Sequence, residues 1–310
     1  MPLNQKTPYL QMKKIILFAN AIALTAFLSA CGNSKENADV TTATDTTAVD
    51  SSAMMASDEP QEFISIPSPD EMFSFMKAVG GAGKSTTHLN NPDNYKNYVD
   101  TKSKALNFGI YATDFLCCST FDYGTEGLKY FVNVKKLGDD LGISGAISES
   151  TTDRIKKNIG QNDSLTSISN TLYYSAISEL EKSDKANVLA LVIVGGWIES
   201  VNLVTNMIKK FDANDPAIER IAEQKYTLDN LLAYVDKYKE DANVMAVTAQ
   251  LNELKGLYDQ LKEESTTGAM ASKGGKKVLG GGTKITITEE QYKAIAEKVK
   301  NIHDSFTMPK

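Results

Sequence analysis

The sequence predicts an all-α fold, a multi-helix bundle carrying a small C-terminal β-hairpin. Three observations lead there. Apolar residues recur at alternating steps of three and four along Val244, Val247, Leu251, Leu254, Tyr258 and Leu261, the spacing of one helix face. Residues 105–121 and 188–204 are apolar nearly all round but interspersed with small or polar residues such as Gly109, Ala112, Gly195 and Gly196, as in central helices gripped on several sides. Near the end, Lys284, Thr286 and Thr288 alternate with Ile285 and Ile287, the period-two pattern of a half-buried strand.

The chain opens outside that fold. Lys13 and Lys14 follow Met12 and precede an apolar run over residues 15–28, which ends in Leu28-Ser29-Ala30-Cys31. This reads as an export signal with a lipobox. The run is short for a membrane span of about 20 residues, and small residues before Cys31 suit a signal peptidase. Cleavage would leave Cys31 first, acylated on its sulfur and amine, so residues 1–30 are expected to be a lipoprotein signal peptide. Because Met12 begins a typical basic n-region, residues 1–11 read as an upstream mis-called start. Residues 31–62 are Ser, Thr, Ala, Asp and Glu with few large apolar groups. Such a stretch buries too little surface to offset its ordering entropy and reads as a flexible tether, with a reach of about 30 Å. Residues 63–310 then form the helical domain, with the hairpin expected at 276–288.

The chain carries 33 Lys plus Arg against 39 Asp plus Glu, and residues 1–30 hold Lys6, Lys13 and Lys14 and no acid, so the remainder has a net charge of −9. An acidic body is a poor partner for nucleic acid, whose phosphates need clustered Lys and Arg. With Cys31 taken by lipid, the remaining cysteines are the adjacent Cys117 and Cys118. Neighbours on a helix point about 100° apart and cannot bridge without distortion; they read as small buried thiols.

Ser68, Pro69 and Glu71 mark the first helix: an N-cap, a first-turn proline and a capping-box partner. The stretch "AVGGAGKST" at residues 78–86 then satisfies a relaxed phosphate-loop pattern. A phosphate loop needs a buried strand before it and a helix straight after. Here a helix precedes, and Asn90, Asn91 and Pro92 make the sequel a loop, so ATP binding is not expected. Helices are predicted at 105–121, at about 125–141 ending at Gly142, at about 151–159, at 164–182 and at 188–204. The last of these is interrupted by Gly195, Gly196, Glu199 and Asn202, which makes it a core helix rather than a membrane span. Ile218, Ile221, Leu228, Leu232 and Val235 face the later apolar series across a turn near residues 240–242, as an antiparallel helical hairpin. Asp215-Pro216 caps its first helix. Residues 266–275 read as a loop, and Thr288 with Gln291 caps the final helix.

The chemistry-bearing residues are few. His88 sits in a polar loop and His303 in the last helix, neither with a helix-spaced His or Cys partner, so no metal site, cofactor or catalytic triad is expected. Asp114 and Glu199 lie in the two apolar helices, where a carboxylate is costly unless paired. One reading is a polar pocket lined by Tyr111, Asp114, Trp197, Glu199 and Asn202 that captures a small ligand. Another is that each acid is hydrogen-bonded by a neighbour and fixes helix register.

The stretches "IPSPDEM", "ALNFGIYATD", "VNVKKLGDDLGI" and "VGGWIES" together resemble a group of exported, mostly helical lipoproteins of Bacteroidetes with no established activity. The resemblance implies a compact helical body and an outer-envelope address and carries no catalytic residue. The expected function is therefore a non-enzymatic outer-membrane lipoprotein, held by lipid on Cys31, whose body binds a protein or small-molecule partner. The alternative is an enzyme using Asp114 and Glu199 as an acid–base pair.

Overall fold

The computed structural model describes residues 68–80, 86–267, 271–273, 276–278 and 281–308. The predicted signal peptide 1–30, the lipid site Cys31 and the tether 31–62 lie outside the described residues, as do Gly81 to Ser85 of the phosphate-loop-like stretch. The described body is an all-α bundle with a small antiparallel hairpin.

Helix α1, Pro69–Ala78, starts from Ser68, whose hydroxyl accepts from the Asp70 N–H. Glu71 does not complete the expected capping box; its carboxylate lies 3.6 Å from Arg220 instead. Two long helices form the centre, α2 (Thr101–Thr120) and α6 (Ala186–Met207). A Cβ on Gly109 would lie 2.0 Å from the Val192 carbonyl oxygen, and one on Gly195 would lie 2.1 Å from that of Leu106. The helices thus meet backbone to backbone, which only glycine permits. α6 is long and apolar enough to cross a membrane, but 94% of its most apolar stretch is buried inside the protein. It is the core helix that its sequence predicts.

The other helices wrap this pair. α3 (Gly124–Leu141) ends at Gly142, whose φ of 72° is the left-handed cap that favours glycine. α4 (Glu149–Lys157) is short, and α5 (Asn162–Lys182) packs on α2. α7 (Pro216–Asp236) and α8 (Ala242–Tyr258) form the expected antiparallel hairpin, capped by Asp215 and Asp241. Every member of the series Val244 to Leu261 is buried. On α7 Leu228 and Leu231 are fully buried, whereas the predicted Leu232 is only partly buried. A step of three from Leu228 followed by four to Val235 puts 231 on the inner face.

The β-hairpin is longer than the predicted 276–288 and begins earlier. β1 (Lys262–Thr267) pairs with β4 (Gly281–Thr286), while β2 (Ala271–Lys273) pairs with β3 (Lys276–Val278). Residues 271–273, expected as loop, are strand, and Gly281 and Gly282 lie inside β4. The sequence Lys-Glu-Glu-Ser-Thr-Thr of β1 shows no apolar alternation, so its pairing through backbone hydrogen bonds left no pattern to read. Ile285 and Ile287 are buried as expected. α9 (Glu289–Thr307) starts with the predicted capping box: Gln291 N–H donates to the Thr288 hydroxyl, and Thr288 N–H donates to the Gln291 side chain at 3.0 Å.

Candidate functional site

Asp114 on α2 and Glu199 on α6 are both 0% exposed, and their carboxyl groups meet. The close glycine crossing explains the encounter. With Gly109, Gly195 and Gly196 removing side chains from the interface, Thr113 reaches the Gly196 carbonyl at 3.3 Å. Each carboxyl lies about one helical turn along its own helix from that crossing.

A third group arrives from α9. His303 Nε2 lies 2.7 Å from Glu199 Oε2, and its Nδ1 lies 3.5 Å from Asp304 Oδ1. The Nε2–H is not aligned for a good hydrogen bond, and none of the four oxygens of Asp114 and Glu199 has a well-placed donor. Two acceptors facing each other in a dry core repel unless a proton lies between them. Burial, the dominant influence, and then the facing Glu199 push the Asp114 carboxyl well above the usual carboxylate range; the Asn90 backbone N–H opposes them weakly. Burial works against the His303 imidazolium, but Glu199 and then Asp304 outweigh it and raise His303 above its ordinary value. One proton between the carboxyls and one on His303 leave the trio without net charge, the state a low-dielectric interior favours.

Around the trio, the polar groups tie α9 down. Asn107 on α2 donates to the Phe306 carbonyl at 2.8 Å, and the Tyr98 hydroxyl donates to that of Thr307 at 3.2 Å. Tyr292 donates to the Thr205 carbonyl of α6 at 3.1 Å.

Of the five residues predicted to share a pocket, Asp114 and Glu199 come together, and the others have partners of their own. Tyr111 lies one turn before Asp114 and donates to the Asn91 carbonyl at 2.8 Å. Trp197 faces away: its indole N–H donates to Gln224 of α7 at 3.1 Å. Positions two apart on a helix point to nearly opposite sides, so Trp197 could not share a face with Glu199. Asn202 accepts from the Asn206 amide at 3.3 Å, within its own helix. No open pocket joins these residues, because Asp114, Tyr111 and Glu199 are sealed at 0% exposure.

His303, absent from the predicted set, is the added member. Ile295, Val299, Ile302 and Phe306 define the buried face of α9, and His303 stands four residues after Val299, on that face. Its position was readable; its partner on α6 was not. His88 is exposed. Cys117 and Cys118 are free and buried. Among the described residues no group of three or more His, Cys, Asp or Glu is arranged to hold a metal ion. The phosphate-loop-like stretch is preceded by α1 and followed by turns and a 3-10 helix at Pro92–Asn97. Comparison with protein-family models, curated proteins and solved structures finds no match to this chain.

Proposed function

We propose that the chain is an exported lipoprotein, anchored in the outer membrane through Cys31, whose helical body works by binding a partner rather than by catalysis. The observation that carries the second half is the closure of the core over Asp114 and Glu199. An acid–base pair must touch its substrate, and these carboxyls touch each other and His303. The first half rests on Lys13, Lys14, the apolar run and Leu28-Ser29-Ala30-Cys31. Metabolic labelling with an alkyne fatty acid tests it: label is expected on the wild type and lost, together with membrane association after export, in Cys31→Ser. A Cys31→Ser chain that stays fully membrane-bound contradicts the anchor.

The second reading is an enzyme, and the observation in its favour is that Asp114, Glu199 and His303 converge at all. It requires the core to open. Enclosure of a small molecule against the trio in the natively purified chain, seen by mass spectrometry and lost in Glu199→Gln, would favour it over the binding reading.

A further inference from the structure

We propose that Asp114, Glu199 and His303 form a proton-loaded clasp that locks the last turns of α9 against α2 and α6 and loosens when its proton leaves. The geometry requires the proton. Two carboxyl groups from different helices meet, with no exposure to water and no hydrogen-bond donor well aligned on any of their four oxygens. Ionising both would set two like charges together in a medium that screens neither. His303 adds one positive charge, enough to balance one carboxylate and not two.

Among the described residues no other charge is at hand to replace the proton. Tyr98, Tyr111 on α2 and Tyr130 on α3 are the phenols that feel the Asp114 charge, and burial first of all pushes each phenol up, so they stay neutral. Burial does the same to the thiols of Cys117 and Cys118. On α9, Asp304 is the only charged neighbour of His303 in the cluster; burial acts against its charge, but Lys300 and His303 hold it below the usual range. The acid therefore leaves its proton only by repelling Glu199, and the repulsion falls on the junction between α6 and α9. Nearby, α9 is held through backbone carbonyls, by Asn107 on Phe306 and by Tyr98 on Thr307. Those bonds carry no charge, so the clasp is the pH-sensitive part of the attachment.

The sign follows from linkage. Asp114 is raised above its ordinary 3.8 and His303 above 6.5, so folding takes up protons. Their contribution is complete below those ordinary values and is lost as pH rises through the raised ones. The folded state should tighten on mild acidification, by up to about tenfold in the folding constant per pH unit for each proton taken up.

Thermal unfolding of the full-length chain in detergent micelles tests this, followed by fluorescence of its single tryptophan, Trp197, between about pH 5 and about pH 8. The wild type is expected to melt progressively lower as pH rises. Asp114→Asn keeps the shape, supplies a donor to Glu199 and needs no proton; it should flatten the slope and melt above wild type at the alkaline end. An unchanged slope in the variant, or a flat wild type, overturns the proposal. Should the variant fail to fold, calorimetry of the wild type near pH 6 in buffers of different ionisation heat decides: release of about one proton on unfolding is expected, and release of none overturns it. Hydrogen exchange, corrected for intrinsic rate, should accelerate with pH in residues 299–307 before the rest of the core; uniform acceleration across the core contradicts the assignment to α9.

Discussion

The Leu106 carbonyl oxygen occupies the place where a side chain on Gly195 would begin, 2.1 Å from that missing Cβ. This contact, repeated by Gly109 against Val192, sets the distance between α2 and α6 and so brings Asp114 onto Glu199. Gly195→Ala has no flexible side chain to push aside and must separate two backbones. A loss of at least about 3 kcal/mol is expected, the upper end of ordinary overpacking, as the midpoint shift in urea unfolding. Gly256→Ala, at an exposed position of α8 with nothing within 4 Å of its Cβ, should instead gain about 0.5–1 kcal/mol.

Removing His303 leaves Glu199 facing Asp114 with no positive charge beside it. His303→Ala is expected to cost about 3–5 kcal/mol, as for other broken buried ion pairs. Glu199→Gln alone should cost less, since it removes the repulsion with Asp114 as well as the attraction to His303. In a double-mutant cycle the two changes should couple by about 1 kcal/mol or more. A strictly additive pair would mean that the 2.7 Å contact carries no energy. The coupling should fade as pH rises through the raised value of His303, because its contribution is complete only below its ordinary 6.5.

The start of α9 provides a local test. Thr288→Ala removes the acceptor for the Gln291 N–H at a capping box that positions the helix carrying His303. The expected loss is about 1 kcal/mol, seen as a fall in melting temperature of about 2–4 °C for a domain of this size. Binding of a partner at any surface remote from α9 should be unchanged.

Cys117 and Cys118 should be inert. Both are buried, and burial raises both thiols, so the thiolate needed for reaction is scarce. Ellman's reagent is expected to label neither in the folded Cys31→Ser chain and both once denaturant unfolds it. Rapid labelling of either in the folded state would show that the centre of α2 opens to solvent.

The helices were legible because their signals are local. The series from Val244 to Leu261, the Asp215-Pro216 cap and the Thr288/Gln291 box each lie within a few turns of chain, and each appears in the structure. Gly109 and Gly195 were visible as small residues, but not that each faces the other helix's backbone. The carboxyl pair was half legible: burial of Asp114 and Glu199 follows from their apolar neighbours, whereas their meeting depends on a crossing between residues 85 positions apart in sequence. Trp197 and Glu199 are close in the chain, but the helical turn sends them to opposite sides. His303 carries no local signal of a site, because its partner is not another His or Cys at helical spacing but an acid more than 100 residues earlier. The first hairpin strand was missed because it is polar throughout.

The claim on which the rest depends is that a proton resides between Asp114 and Glu199 in the folded core. Difference infrared spectroscopy of the wild type against Asp114→Asn at neutral pH observes it directly, through the carbonyl stretch of a protonated carboxyl group. The account predicts such a band in the wild type, insensitive to added buffer and missing in the variant. A wild-type spectrum showing only ionised carboxylates at neutral pH would contradict it.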